Sequence, residues 1–100
     1  MTVVRLSRRA RDWLEREGHY LAERDPAAAT RFVARMQDAR ALLAEFPNAG
    51  SPGLVPGTRQ LVVGAYVLTY RRNRGAVEIA AIRHGRQRDA RFADEAGGPT

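Results

Sequence analysis

His84 is the side chain best placed by its intrinsic chemistry to exchange a proton near neutral pH. It stands in the run Arg83-His84-Gly85-Arg86-Gln87-Arg88, among guanidinium groups. Arginine stays charged at any cellular pH and grips carboxylates and phosphates through a two-point fork. The other histidine, His19, lies among Glu17, Gly18 and Tyr20 and reads as a surface residue of a helix. The chain has no cysteine, which excludes disulfides, thiolate zinc sites and cysteine nucleophiles. Two histidines far apart in the sequence make no metal site, and no glycine-rich phosphate loop is present. The expectation is a protein without metal or cofactor.

The charge has a direction along the chain. All 17 basic residues are arginines, against 11 acids, for a net charge of +6 and a pI near 11.2. Residues 1–58 carry a net +2, residues 59–91 a net +6, and the tail after Arg91 contributes −2. The second half is therefore where an acidic partner or a phosphate backbone would be drawn. One hundred residues make one domain. Seventeen of the hydrophobic residues are alanines, which leaves enough large side chains for one thin two-layer core. The start, MTVVRLSRRARDWLERE, has no signal-like apolar run, so a soluble, cytoplasmic protein is expected.

The elements follow from period and punctuation. Thr2 to Leu6 is β-branched and reads as a strand. Ser7 suits a helix N-cap, and Ala10, Trp13, Leu14, Tyr20 and Leu21 then fall on one helical stripe. Asp25-Pro26 stops that helix and starts a second, whose stripe is Ala29, Phe32, Val33, Met36, Leu43 and Phe46. Pro47 ends it. Residues 47–57 hold three Pro and three Gly and read as a loop. Beyond them the period is two, with strands over 58–63, 66–71 and 76–83. Gly64-Ala65 suits a two-residue turn, and residues 72–75 suit the next. Residues 86–92 are expected to form one helical turn, within a single domain spanning 1–95, and 96–100 a frayed tail.

These turns set a register. One face would hold Leu61, Val63, Tyr66, Leu68, Tyr70, Val77, Ile79 and Ala81, with Arg59 and Arg83 at its margins, and would pack on the helices. The other would hold Gln60, Val62, Val67, Thr69, Arg71, Glu78, Ala80, Ile82 and His84, half apolar and half charged. In the first hairpin Arg59 faces Tyr70; in the second, Tyr70 faces Val77. A slip of one residue exchanges the faces.

The ordered set Leu6-Ser7, Phe46-Pro47-Asn48-Ala49-Gly50, Pro56-Gly57-Thr58-Arg59, Val63 to Arg71, and Val77-Glu78-Ile79 to Arg83-His84-Gly85-Arg86 resembles the ParE branch of the RelE/ParE toxins of bacterial toxin–antitoxin modules. The likeness spans about residues 3–88. It implies an α+β fold: an N-terminal strand and a two-helix antiparallel hairpin packed on a small antiparallel β-sheet, with a short C-terminal helical turn. It also implies a growth-arresting toxin neutralised by an acidic, partly disordered antitoxin akin to ParD. ParE-like members are similar to gyrase poisons, which trap DNA gyrase on cleaved DNA. RelE-like members are ribosome-dependent mRNA endonucleases on the same fold.

RNA cleavage through the 2′-hydroxyl needs a base, an acid and fixed positive charge. Arg59, Tyr70, Arg83 and His84 would be the set here. The chain has no lysine and no tyrosine after its last strand, so the gyrase reading, with no catalytic residue, is preferred. Target-binding residues are then expected at Arg83, His84, Arg86, Arg88, Arg91 and Phe92, and antitoxin-binding residues at Arg59, Val62, Val67, Arg71 and Ile82. Arg59 is expected to pair with a carboxylate, its own or the antitoxin's, and Tyr70 to be a core residue with its hydroxyl at the sheet edge. A basic nucleic-acid-binding module and an inactive toxin are the remaining alternatives.

Overall fold

A computed structural model of the chain describes residues 1–85. The helical turn expected over 86–92, the frayed tail, and Arg86, Arg88, Arg91 and Phe92 lie outside the described residues. In chain order the elements are β1 (Val4–Leu6), α1 (Arg8–Arg24), α2 (Pro26–Glu45), β2 (Ser51–Pro52), β3 (Thr58–Val63), β4 (Tyr66–Asn73) and β5 (Ala76–His84).

The helices begin and end where local chemistry directs. Ser7 accepts from the Ala10 amide at 3.0 Å, which satisfies a first-turn donor of α1. Asp25 is the whole joint between the helices: its amide closes α1 on Leu21, and its carboxylate accepts from the Ala28 amide of α2 at 3.2 Å. Pro26 occupies the first turn of α2, where no amide donor is needed. The inward residues of α2 are Phe32, Met36, Ala39 and Leu43, at intervals of four, three and four. Val33 and Phe46, expected on that stripe, are exposed. Val33 lies one residue off the face, and Phe46 is already past the last turn as its C-cap. Tyr20 is also half exposed, with the Arg24 guanidinium stacked 3.8 Å from its ring centre.

The sheet has five strands in the order β1-β5-β4-β3-β2. It is mixed: β1 runs parallel to β5, with Val4 beside Val77 and Leu6 beside Ile79, while every other pair is antiparallel. Inside the segment expected to be loop, Ser51 and Pro52 pair with Gln60 and Arg59 as β2. The β3–β4 hairpin keeps the expected register, Val63 on Tyr66, Leu61 on Leu68 and Arg59 on Tyr70, and Gly64 sits at φ +59° in its turn.

The β4–β5 hairpin does not. Its turn is only Arg74-Gly75, both at positive φ, so Asn73 pairs with Ala76 and Arg72, not Tyr70, pairs with Val77. Tyr70 lies opposite Ile79, Thr69 opposite Ala81, and Ala80 is an extra residue of β5. This bulge rephases the end of the strand. Ile82 and His84 turn to the helical side, and Ala81 leaves it. The core then joins Ala10, Phe32, Met36, Ala39 and Leu43 to Tyr66, Leu68, Tyr70, Val77, Ile79 and Ile82. Full burial of each large aliphatic chain contributes about 1.5–3 kcal/mol. Among the described residues no helix is long and apolar enough to cross a membrane.

Candidate functional site

Where α1 crosses the end of β5, a carboxylate is buried. Glu17 continues the apolar stripe of α1 from Ala10 and Trp13, and is 9% exposed. An unpaired buried carboxylate is costly, and here two groups compensate. The Tyr66 hydroxyl donates to Glu17 Oε2 at 2.8 Å. His84 Nε2 lies 3.3 Å from both Glu17 oxygens. Tyr66 and His84 face each other across β4 and β5 with rings 5.0 Å apart, and Trp13 stands edge-on to both at 5.6 Å. Burial holds the Tyr66 phenol well above the usual tyrosine range, reinforced by its bond to Glu17 and that group's charge, with Arg35 opposing. The phenol therefore stays a donor, and the pair with Glu17 orients the His84 ring, whose side chain is 35% exposed.

Arg59 and Tyr70 belong to a different cluster. Among the described residues the Arg59 guanidinium has no carboxylate partner. It donates to the backbone carbonyls of Gly50, through Nε at 3.1 Å and through Nη2, and of Asn48 at 3.2 Å. The Tyr70 ring is fully buried, and its hydroxyl accepts from the Gly50 amide at 2.9 Å. Both residues thus fix the loop between α2 and β2. Arg83 pairs with Val67 and points away from the helices, as alternation from His84 requires. The quartet named for phosphodiester chemistry is thereby split. Tyr70 lies four residues along β4 from Tyr66, the partner of His84, or about 13 Å.

On the sheet face away from the helices, Val62 is 69% exposed and Arg71 is exposed. Arg71 is paired with Glu78 at 3.0 Å, and Arg5 of β1 lies opposite Glu78 on its other side. Two residues expected to be open on that face are buried. Ile82, 5% exposed, is carried into the core by the Ala80 bulge. Val67, 4% exposed, lies beside Gly85, whose amide donates to the Ala65 carbonyl at 2.7 Å. No group of three or more metal-ligating side chains occurs among the described residues.

Residues 4–89 match the family described as the ParE toxin of the type II toxin–antitoxin system parDE. The chain belongs to the ParE toxin family. A relative from Sinorhizobium fredii, named "Putative toxin Y4kP", is 41% identical over 86 residues, 84% of this chain and 88% of the relative. The fold is similar to a chain of the structure titled "Chromosomal ParDE TA system from P. aeruginosa", with a TM-score of 0.74 and 22% identity over 84% of this chain and 96% of that one. The α+β architecture expected from the resemblance is the one this ParE toxin has.

Two residues central to these clusters escaped the sequence reading. Glu17 sits at the helical positions i+7 from Ala10 and i+4 from Trp13, and that spacing was the available signal. Gly50 carried only its place in a Pro/Gly-rich segment and at the end of the Phe46 to Gly50 run of the family resemblance.

Proposed function

We propose that this ParE-family toxin arrests growth in the cytoplasm by binding DNA gyrase, and that a cognate acidic antitoxin neutralises it by covering the basic sheet face. The observation that supports a binding mechanism is the engagement of Arg59 and Tyr70 with Gly50. Cleavage of a phosphodiester needs its base, acid and positive charge at one phosphate. Here two of the four candidates hold a loop, His84 is held by Glu17 on the helical side, and Arg83 points to the opposite face. A gyrase poison needs no such convergence. It needs a surface that binds one state of the enzyme better than another.

The charge distribution supports the partner chemistry. The net +6 of residues 59–91 favours an acidic chain, and Val62 and Arg71 offer it one apolar and one cationic contact on the open face. The arginine-rich sequence from Arg83 to Phe92 is assigned to gyrase on its charge. The test is a supercoiling assay with purified gyrase, relaxed plasmid and ATP, titrated with the toxin. Loss of supercoiling, with linear DNA after detergent and protease, is the expected result. Undisturbed gyrase at a large excess of toxin, with cleavage of mRNA on ribosomes, would replace this reading with the endonuclease.

A further inference from the structure

The side of α1 that carries Glu17 also forms one wall of a cleft of about 390 Å³, closed on the other side by the end of β5. Its α1 wall has a regular order. Arg9, Trp13, Arg16 and Tyr20 follow one another at intervals of four, three and four residues, so cation and ring alternate up one helical face. Each step is about one turn, or about 5.4 Å. Glu17, Ile82 and His84 also line it.

This order fits a ligand that joins a planar ring to an anion about one helical turn away. Guanidinium groups bind phosphate bidentately, and aromatic faces stack on nucleobases whatever their identity. A carboxylate offers about four acceptor positions, of which the Tyr66 hydroxyl and His84 Nε2 use part, so Glu17 can also accept from base N–H groups. The volume is in the range of small-molecule sites. An acidic peptide would use the arginines, but it would meet the Glu17 carboxylate as a like charge and leave the two rings unused.

We propose that this cleft binds a nucleoside monophosphate unit, its base against Trp13 and facing Glu17, its phosphate on Arg16. The proposal does not rest on the gyrase reading, since it is argued from the α1 wall of the cleft and from Glu17.

Trp13 is the only tryptophan of the chain and reports directly on the site. The experiment is titration of the full-length toxin with guanosine monophosphate, followed by Trp13 fluorescence at low salt. The expected result is a saturable change, with guanosine and inorganic phosphate each at least about tenfold weaker, and Arg16→Ala weakening the nucleotide at least about tenfold. Arg16 is exposed, so the variant keeps its fold, which circular dichroism verifies. A short single-stranded oligonucleotide separates the two sources. Tighter binding of the strand than of the monomer assigns the unit to a nucleic acid, and equal or weaker binding assigns it to a free nucleotide. No saturable change at millimolar nucleotide, affinity indifferent to Arg16→Ala, or binding of a glutamate-rich peptide in preference to the nucleotide would each overturn the proposal.

Discussion

The Ser7 hydroxyl donates to the carbonyl of Ala80, 73 residues away, at 2.8 Å. The same oxygen accepts from the Ala10 amide, and the Ser7 amide donates to the Ile79 carbonyl at 3.0 Å. One side chain therefore caps α1 and holds the bulge that turns Ile82 and His84 toward the helices. Ser7→Ala removes both functions and is expected to destabilise the fold by about 2 kcal/mol, or about 10 °C in Tm. Ser7→Asp separates them. A carboxylate can accept from Ala10 but cannot donate to Ala80, so Ser7→Asp should not recover wild-type stability. Thermal unfolding of both variants checks this, and recovery by Ser7→Asp would show that the cap alone matters.

The Tyr66 phenol carries a second prediction. Tyr66→Phe leaves the buried Glu17 with one donor fewer and should cost about 1–3 kcal/mol at neutral pH. The pH dependence has a definite sign. The folded-state phenol is raised above the unfolded value of about 10, so its contribution is complete below pH 10 and declines as pH rises beyond it. The chain has no lysine to titrate in the same window. Urea unfolding from pH 7 to 11.5 should show a steep alkaline loss in the wild type and a shallower one in Tyr66→Phe. Parallel curves would place the alkaline loss elsewhere.

How far the sequence could carry the fold depended on what fixes each joint. Gly64-Ala65 is a two-residue turn whose glycine takes positive φ, and that local rule suffices to align β3 with β4. Between β4 and β5 the turn is also local, but Arg74 at φ +53° is not a residue that announces a left-handed position. The bulge is not local at all. In the run Ala80-Ala81-Ile82 nothing marks which residue is extra, and the bond that holds Ala80 comes from Ser7. The face assigned to Ile82 and His84 was lost through that single residue. The site was less legible than the fold, because a glutamate among helix-surface arginines reads as solvated until its partners on β4 and β5 are known.

Gly50 is the position where the smallest substitution should matter most. Its amide meets Tyr70, its carbonyl meets Arg59, and a Cβ there would overlap the Gln60 carbonyl and come within 3.0 Å of the Tyr70 hydroxyl. The nearest of these atoms is backbone of β3 and cannot swing aside. Gly50→Ala is expected to destabilise by about 2 kcal/mol or more, with loss of the β2–β3 pairing. Arg59→Ala should cost less, about 1–2 kcal/mol, since the loop carbonyls can turn to water. Urea denaturation ranks the two, and a Gly50→Ala protein as stable as wild type would contradict the close approach.

Val62 tests the partner surface without disturbing the fold. It is 69% exposed on the face away from the helices, where Val67 and Ile82 are not available. Val62→Glu should therefore change intrinsic stability by no more than about 0.5 kcal/mol. In the proposed complex it would place a negative charge against an acidic antitoxin and remove an apolar contact. An antitoxin that binds the folded state alone is expected to raise the Tm of the wild-type toxin by mass action. The expected effect of Val62→Glu is at least about a tenfold loss of affinity, read as a smaller rise in Tm at the same antitoxin concentration. Added salt should narrow the difference between the two toxins, because the repulsion is exposed and screened. An unchanged rise in Tm would mean that the antitoxin docks away from β3, and would turn attention to the exposed Val33 and Leu42 of α2.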